Sequence, residues 1–138
     1  MIRRTLAILA ISLAGAGAQA ADLTINIADL ESTQGFVGIQ VVNSADAWDG
    51  KAAAVERQRL PVSGTELKFS IPDLQPGEYA VMVMHDENGN GELDYNVLGI
   101  PSESYGFSNN PDGFGKPSYE QARFKLGTEG GAITIRLQ

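Results

Sequence analysis

Leu23-Thr24-Ile25-Asn26-Ile27-Ala28 alternates large apolar residues with small or polar ones at a period of two. Successive side chains of a strand point to opposite faces, so the stretch reads as a strand with one buried face. The alternation returns at Val37, Ile39 and Val41, at Leu67, Phe69 and Ile71, at Ala122, Phe124 and Leu126, and at Ile133, Ile135 and Leu137. Tyr79 to Met84 is apolar on both faces, as a central strand covered on each side would be. Ser63-Gly64, Pro76-Gly77 and Gly130-Gly131 supply turns between these runs. Lys51 to Leu60 has fair helix propensity, with Ala52-Ala53-Ala54 inside it. Val55, Arg57 and Arg59 also alternate with Ala54, Glu56 and Gln58, and a strand over residues 53–62 suits the neighbouring elements better. About seven short strands with regular turns predict an all-β fold, a single β-sandwich.

One segment marks where the chain changes sheets. Pro72-Asp73-Leu74-Gln75-Pro76-Gly77-Glu78-Tyr79 places a Tyr at the start of the central strand, just after Pro-Gly. This is the pattern of a tyrosine corner, whose hydroxyl bonds back to upstream backbone at a sheet-to-sheet crossing.

The first twenty residues read as an address. Met1-Ile2-Arg3-Arg4 is positive, Thr5 to Leu13 is apolar, and Ala14 to Ala20 is small and ends in Ala18-Gln19-Ala20. That is the order of a cleavable secretory signal peptide over residues 1–20, with an apolar part too short to cross a bilayer. Residues 21–138 then form the β-sandwich domain, expected to be a periplasmic or secreted monomer with no membrane span. The whole chain has 138 residues and a formal charge of −7. Losing Arg3 and Arg4 makes the remainder more acidic still. Such a balance argues against nucleic acid as partner, since that needs a basic footprint. No cysteine occurs, which excludes disulfides and thiolate chemistry, and a single His makes a multi-His metal site improbable.

The most informative stretch is His85-Asp86-Glu87-Asn88-Gly89-Asn90-Gly91-Glu92-Leu93-Asp94. Calcium takes six to eight hard oxygens, and its twelve-residue loop draws them from positions 1, 3, 5, 7 and 9. Here those positions are Asp86, Asn88, Asn90, Glu92 through its carbonyl, and Asp94, with Gly91 at the sharp turn. Leu93 is expected to turn inward and anchor the loop. Position 12 departs from the pattern: Val97 stands where a bidentate Glu belongs, so a last ligand would come from water or from Asp46, Asp49 or Asp112. A structural calcium ion is expected, bound weakly, with Kd on the order of 10⁻⁴–10⁻³ M. The competing reading is a bare hairpin, because Asn88-Gly89 and Asn90-Gly91 are both strong turn signals. Charge favours the cation. From Phe69 to Gly115 the chain has many acids and no Lys or Arg, which leaves those acids without a local partner.

Residues 95–119 show no clear alternation, and long unstructured loops tend to be functional or disordered. Tyr95, Tyr105, Phe107, Asn109, Asn110 and Phe114 form a candidate recognition surface for a protein or a glycan, through ring stacking and amide hydrogen bonds. The bland alternative folds these rings inward to staple the loop onto the sandwich. Trp48 belongs either to that surface or to the core. No catalytic residues are assigned. His85 and the abundant acids would suit a small glycan-directed enzyme only if a pair were held in reach. Met82, Met84 and His85 are soft enough for copper, but Met in so apolar a strand is ordinary core filler.

Several runs together resemble an uncharacterised bacterial exported family, domain of unknown function 2141. They are Pro76-Gly77-Glu78-Tyr79-Ala80-Val81, the acidic loop, Leu98-Gly99-Ile100-Pro101, Tyr105-Gly106-Phe107-Ser108-Asn109-Asn110, and Pro117-Ser118-Tyr119-Glu120 with Ala122-Arg123-Phe124. The resemblance implies a Greek-key sandwich, immunoglobulin-like or prealbumin-like in outline, and implies no activity. The reading is therefore an exported binding or interaction module of unknown ligand with a calcium loop. The alternatives are an Asp/Glu enzyme and a purely structural accessory domain.

Overall fold

The alternating stretch near the N-terminus becomes β1 (Ala21–Ala28), and its inward side chains Leu23, Ile25 and Ile27 are fully buried. β1 sits between two partners. β4 (Leu67–Leu74) runs antiparallel to it, with Ile25 opposite Phe69, and β8 (Gly131–Arg136) runs parallel, with Ile25 opposite Ile133. The second sheet takes the order β3-β2-β5-β6 from β3 (Glu56–Pro61), β2 (Phe36–Val42), β5 (Gly77–Asp86) and β6 (Tyr105–Phe107). β7 (Phe124–Leu126) also joins β5, through Tyr79 opposite Phe124. This is a computed structural model, and it describes Gly17 and residues 19–138; the expected leader over residues 1–20 lies outside the described residues apart from Gly17, Gln19 and Ala20. No helix among the described residues is long and apolar enough to cross a membrane.

The expectation of an all-β sandwich holds, with eight strands among the described residues rather than about seven. Residues 56–61 are strand, as their alternation suggested against their helix propensity. The first four strands form a Greek key spread over both sheets: β2 pairs with β3 in one, while β4 returns beside β1 in the other. Leu23, Ile25, Val37, Ile39, Val41, Ile71, Val81, Val83 and Ile135 fill the space between the sheets.

β5 is covered twice. Tyr79, Val81 and Val83 enter the inter-sheet core, whereas Ala80 and Met82 face a second cluster on the outer side. Val42, Trp48, Tyr105, Phe107 and Ala122 complete that cluster. Two single-turn helices that alternation did not reveal, α1 (Ala45–Trp48) and α2 (Tyr119–Ala122), carry its lids. Each begins at a capping serine: Ser44 accepts from Ala47 N, and Ser118 forms a reciprocal box with Gln121. β6 closes one side of the sandwich. It pairs with β5, and Tyr105 exchanges backbone bonds of 3.1 and 2.9 Å with Gln138 beyond β8. A Cβ on Gly106 would stand 2.7 Å from the Arg136 carbonyl oxygen, so only glycine admits this approach.

The tyrosine corner is present where expected. Tyr79 Oη donates to the Gln75 carbonyl at 2.5 Å, at the crossing from β4 in one sheet to β5 in the other. Burial raises the Tyr79 pKa above its ordinary 10.0. The folded chain thus holds this proton more tightly than the unfolded one. Its contribution is complete below about pH 10 and is lost as pH climbs through the raised value. Replacing Tyr79 with Phe should lower stability by about 0.5–1.5 kcal/mol at neutral pH. It should also flatten the alkaline fall in stability, read as denaturant midpoints across a pH series.

Candidate functional site

β5 ends at Asp86, whose side chain belongs to the outer face by alternation yet is only 1 % exposed. Backbone folds over it. Asp86 Oδ1 accepts from Asn90 N at 3.0 Å, and Oδ2 accepts from Gly91 N at 2.8 Å. Two Asx turns continue the wrap: Asn88 Oδ1 accepts from Asn90 N at 3.0 Å, and Asn90 Oδ1 from Glu92 N at 2.9 Å. Gly89 and Gly91 take the positive φ that such a tight path demands. The side chains of Asn88 and Asn90 both reach Asp94, the Asn90 amide at 2.9 and 3.1 Å from its two oxygens. Asp86, Asn88, Asn90 and Asp94 are thus drawn into one knot, with Glu92 exposed beside it. Leu93 turns inward onto the second core, as its place in the loop suggested.

Spacing failed to find one member of the knot. Glu103 is buried, and its carboxylate accepts from Glu87 N and from Asp94 N, each at 3.0 Å. One side chain therefore ties together the two ends of the acidic loop. The acids expected to complete the set lie elsewhere: Asp49 pairs with Lys51 at 3.6 Å, Asp46 sits in the first turn of α1, and Asp112 lies in the following loop. Val97, at position 12, is wholly exposed. Three or more His, Cys, Asp or Glu side chains grouped as a metal cage do not occur among the described residues. The knot instead mixes carboxylates with amides.

The loop also has an internal cation, which corrects the expectation that its acids lack a partner. Arg59 reaches over from β3, donates to Asp86 Oδ2 at 3.3 Å and to the Gly89 carbonyl at 3.0 Å, and lays its guanidinium 3.8 Å from the centre of the Phe36 ring. Sequence distance hid this pairing, because Arg59 arrives through the sheet. A groove of about 220 Å³ runs beside it over Gly38, Gln40, Arg57, Met82 and Met84.

Alternation separates the soft ligands. Met82 and Met84 lie on the outer face of β5, while His85 is buried on the inner side, with Nε2 2.8 Å from the Gln34 carbonyl oxygen. His85 Nδ1 has no hydrogen-bond partner among the described residues; Glu87 Oε1 is 3.8 Å away. Glu78 is engaged by Arg123 at 2.9 Å.

The recognition residues divide. Tyr105 and Phe107 are buried and pack edge-to-face at 5.6 Å, and Phe107 meets Trp48, itself core, at 5.8 Å. Asn109 and Asn110, both at positive φ, spend their side chains on backbone. Asn109 Nδ2 donates to the Gln121 and Arg123 carbonyls, while Asn110 donates to Thr134 O and accepts from Arg136 N. The buried Ser108 Oγ joins them by accepting from Val81 N and donating to Ala122 O. These residues staple the loop to the sandwich. Tyr95 and Phe114 remain exposed, together with Val97, Leu98 and Ile100, which composition alone did not single out.

The chain is thus an all-β sandwich whose acidic loop and outer lid are both held by side-chain-to-backbone bonds. A family model described as an uncharacterized protein conserved in bacteria (DUF2141) matches residues 25–134, and the chain belongs to that family. No curated protein and no solved structure matches it.

Because Glu103 closes the acidic loop, its replacement by Ala should strand two N–H groups and cost about 1–3 kcal/mol. Amide exchange should accelerate at Glu87 and Asp94 ahead of the β5 core.

Proposed function

We propose that this protein is an exported interaction module whose acidic loop takes up calcium and thereby stiffens the neighbouring recognition loop. The observation that carries this reading is the convergence of Asn88 and Asn90 on Asp94, with Asp86 held beside them by the backbone N–H groups of Asn90 and Gly91. All four are short, stiff side chains ending in hard oxygen, the donor chemistry calcium prefers. An Asn amide offers its oxygen as readily as its nitrogen, so the two amides that donate to Asp94 are also two candidate ligands. Glu103 holds the loop ends at fixed separation, which lowers the ordering cost of binding. Arg59 sits half-exposed at one side of the loop and serves as a counter-ion to Asp86. Export is supported by the charged, apolar and small-residue order of residues 1–20.

Calcium binding with Kd on the order of 10⁻⁴–10⁻³ M predicts that about 10 mM calcium raises the unfolding free energy by about 1.4–2.7 kcal/mol. Thermal melts of the purified chain with calcium and with a chelator would register the difference. Asp94→Asn should suppress it while leaving the metal-free melt close to that of the parent; Asn90→Ala should suppress it too and also lower the metal-free melt, because it removes an Asx turn. A melting temperature indifferent to calcium removes the metal from this reading. Expression of the full chain in a bacterial host should release a product beginning at Ala21, identified by intact mass of the periplasmic fraction.

A further inference from the structure

Apart from Val55, every large apolar side chain left exposed among the described residues lies between Tyr95 and Phe114. Val97 and Phe114 are fully in solvent, Leu98 is 80 % exposed and Ile100 55 %. They do not sit on a slack segment. Asn96 N donates to the Ile100 carbonyl at 2.8 Å and Gly99 N to the Asn96 carbonyl at 2.9 Å. Asn96 Oδ1 accepts from Leu98 N at 2.9 Å and from Ile100 N at 3.1 Å. Below this knuckle Tyr95 bridges Pro101, and Ser102 N donates to the Asp94 carbonyl. The backbone is satisfied inside the turn while the apolar side chains point outward. The second wall is Phe114, placed by Gly115 N donating to Tyr105 Oη at 3.1 Å. A cavity of about 560 Å³ opens between the walls, over Ile100, Pro101, Tyr105 and Gln138. Contiguous exposed apolar surface of this kind marks a contact site, and a pre-ordered one binds at lower entropic cost.

Charge selects the occupant. The knuckle rises from Asp94, two residues after the exposed Glu92, and the exposed Asp112 lies two residues before Phe114. The nearest cation along the chain, Lys116, is turned away over the Trp48 ring, 4.9 Å from its centre. A second copy would set like-charged loops against each other, since the chain carries −7. Anionic lipid is repelled for the same reason. We propose that the Tyr95–Ile100 knuckle and Phe114 form the docking surface for a cationic amphipathic segment of a partner protein, with its apolar side chains in the cavity and its Lys or Arg at the acidic rim. This rests on the interaction-module reading; the knuckle's own hydrogen bonds order it without the metal, and calcium in the acidic loop would stiffen its base further.

The test uses a labelled amphipathic Lys/Leu helix peptide and its Glu/Leu counterpart, titrated by anisotropy at about 0.15 M salt, once with calcium and once with chelator. The Lys/Leu peptide should bind and the Glu/Leu peptide should not. Leu98→Ser combined with Phe114→Ser should weaken binding by about tenfold or more with an unchanged melting temperature, because both side chains are already in solvent. Equal binding by the double variant would reduce the contact to diffuse charge attraction and overturn the proposal. So would preference for the Glu/Leu peptide, co-sedimentation with phosphatidylglycerol vesicles, or a dimer that the double variant abolishes; each names another occupant and leaves the module reading standing. Binding by none of the peptides, vesicles or a second copy overturns both. A melt insensitive to calcium removes the metal alone.

Discussion

β5 has to be covered on both faces, and most of the molecule answers that requirement. Tyr79, Val81 and Val83 are inside the sandwich, and Ala80 and Met82 would meet water on the other side without a second layer. Each such side chain left exposed forfeits on the order of 1–3 kcal/mol. The chain meets the demand by returning after the acidic loop as β6 and α2, and by folding α1 down from the end of β2. Ser108 then fixes the lid to the strand it covers, through Val81 N on one side and Ala122 O on the other.

The candidate site follows from that return path. The segment from Asp86 to Tyr105 must leave the end of β5 and re-enter beside it. It does so with little apolar burial of its own, so polar side chains hold it: Asp86, Asn88, Asn90 and Glu103 collect backbone N–H groups that no strand would satisfy. One acidic knot thereby closes the turn and gathers side-chain oxygens at its surface. Arg59, stacked on Phe36, offsets part of its charge from the adjoining sheet edge. The knuckle from Tyr95 to Ile100 stands on this base, closed by its own hydrogen bonds with its apolar residues outward.

Much of this was legible without coordinates wherever the signal was local. The period of two in β1, β2, β4 and β8, the doubly apolar β5 and the tyrosine corner each depend on a few adjacent residues. The spacing of Asp86, Asn88, Asn90 and Asp94 likewise encoded a turn that wraps backbone over Asp86 and brings the two Asn side chains onto Asp94. Glu103 escaped notice because it enters the loop by folding back, outside any repeat of spacing. Tyr105 and Phe107 looked like candidates for recognition because an aromatic ring in an irregular segment carries no mark of which way it points.

The sequence by itself determined an all-β chain, its strand faces and the chemistry of the acidic turn, because backbone alternation and side-chain-to-backbone bonds act over a few residues. Tertiary structure decided the rest: the parallel pairing of β1 with β8, the delivery of Arg59 to Asp86, and the division of the aromatic residues between core and surface. Those outcomes depend on which distant segments compete to cover the same strand. That competition is settled by volume and burial in three dimensions, quantities that no local pattern carries.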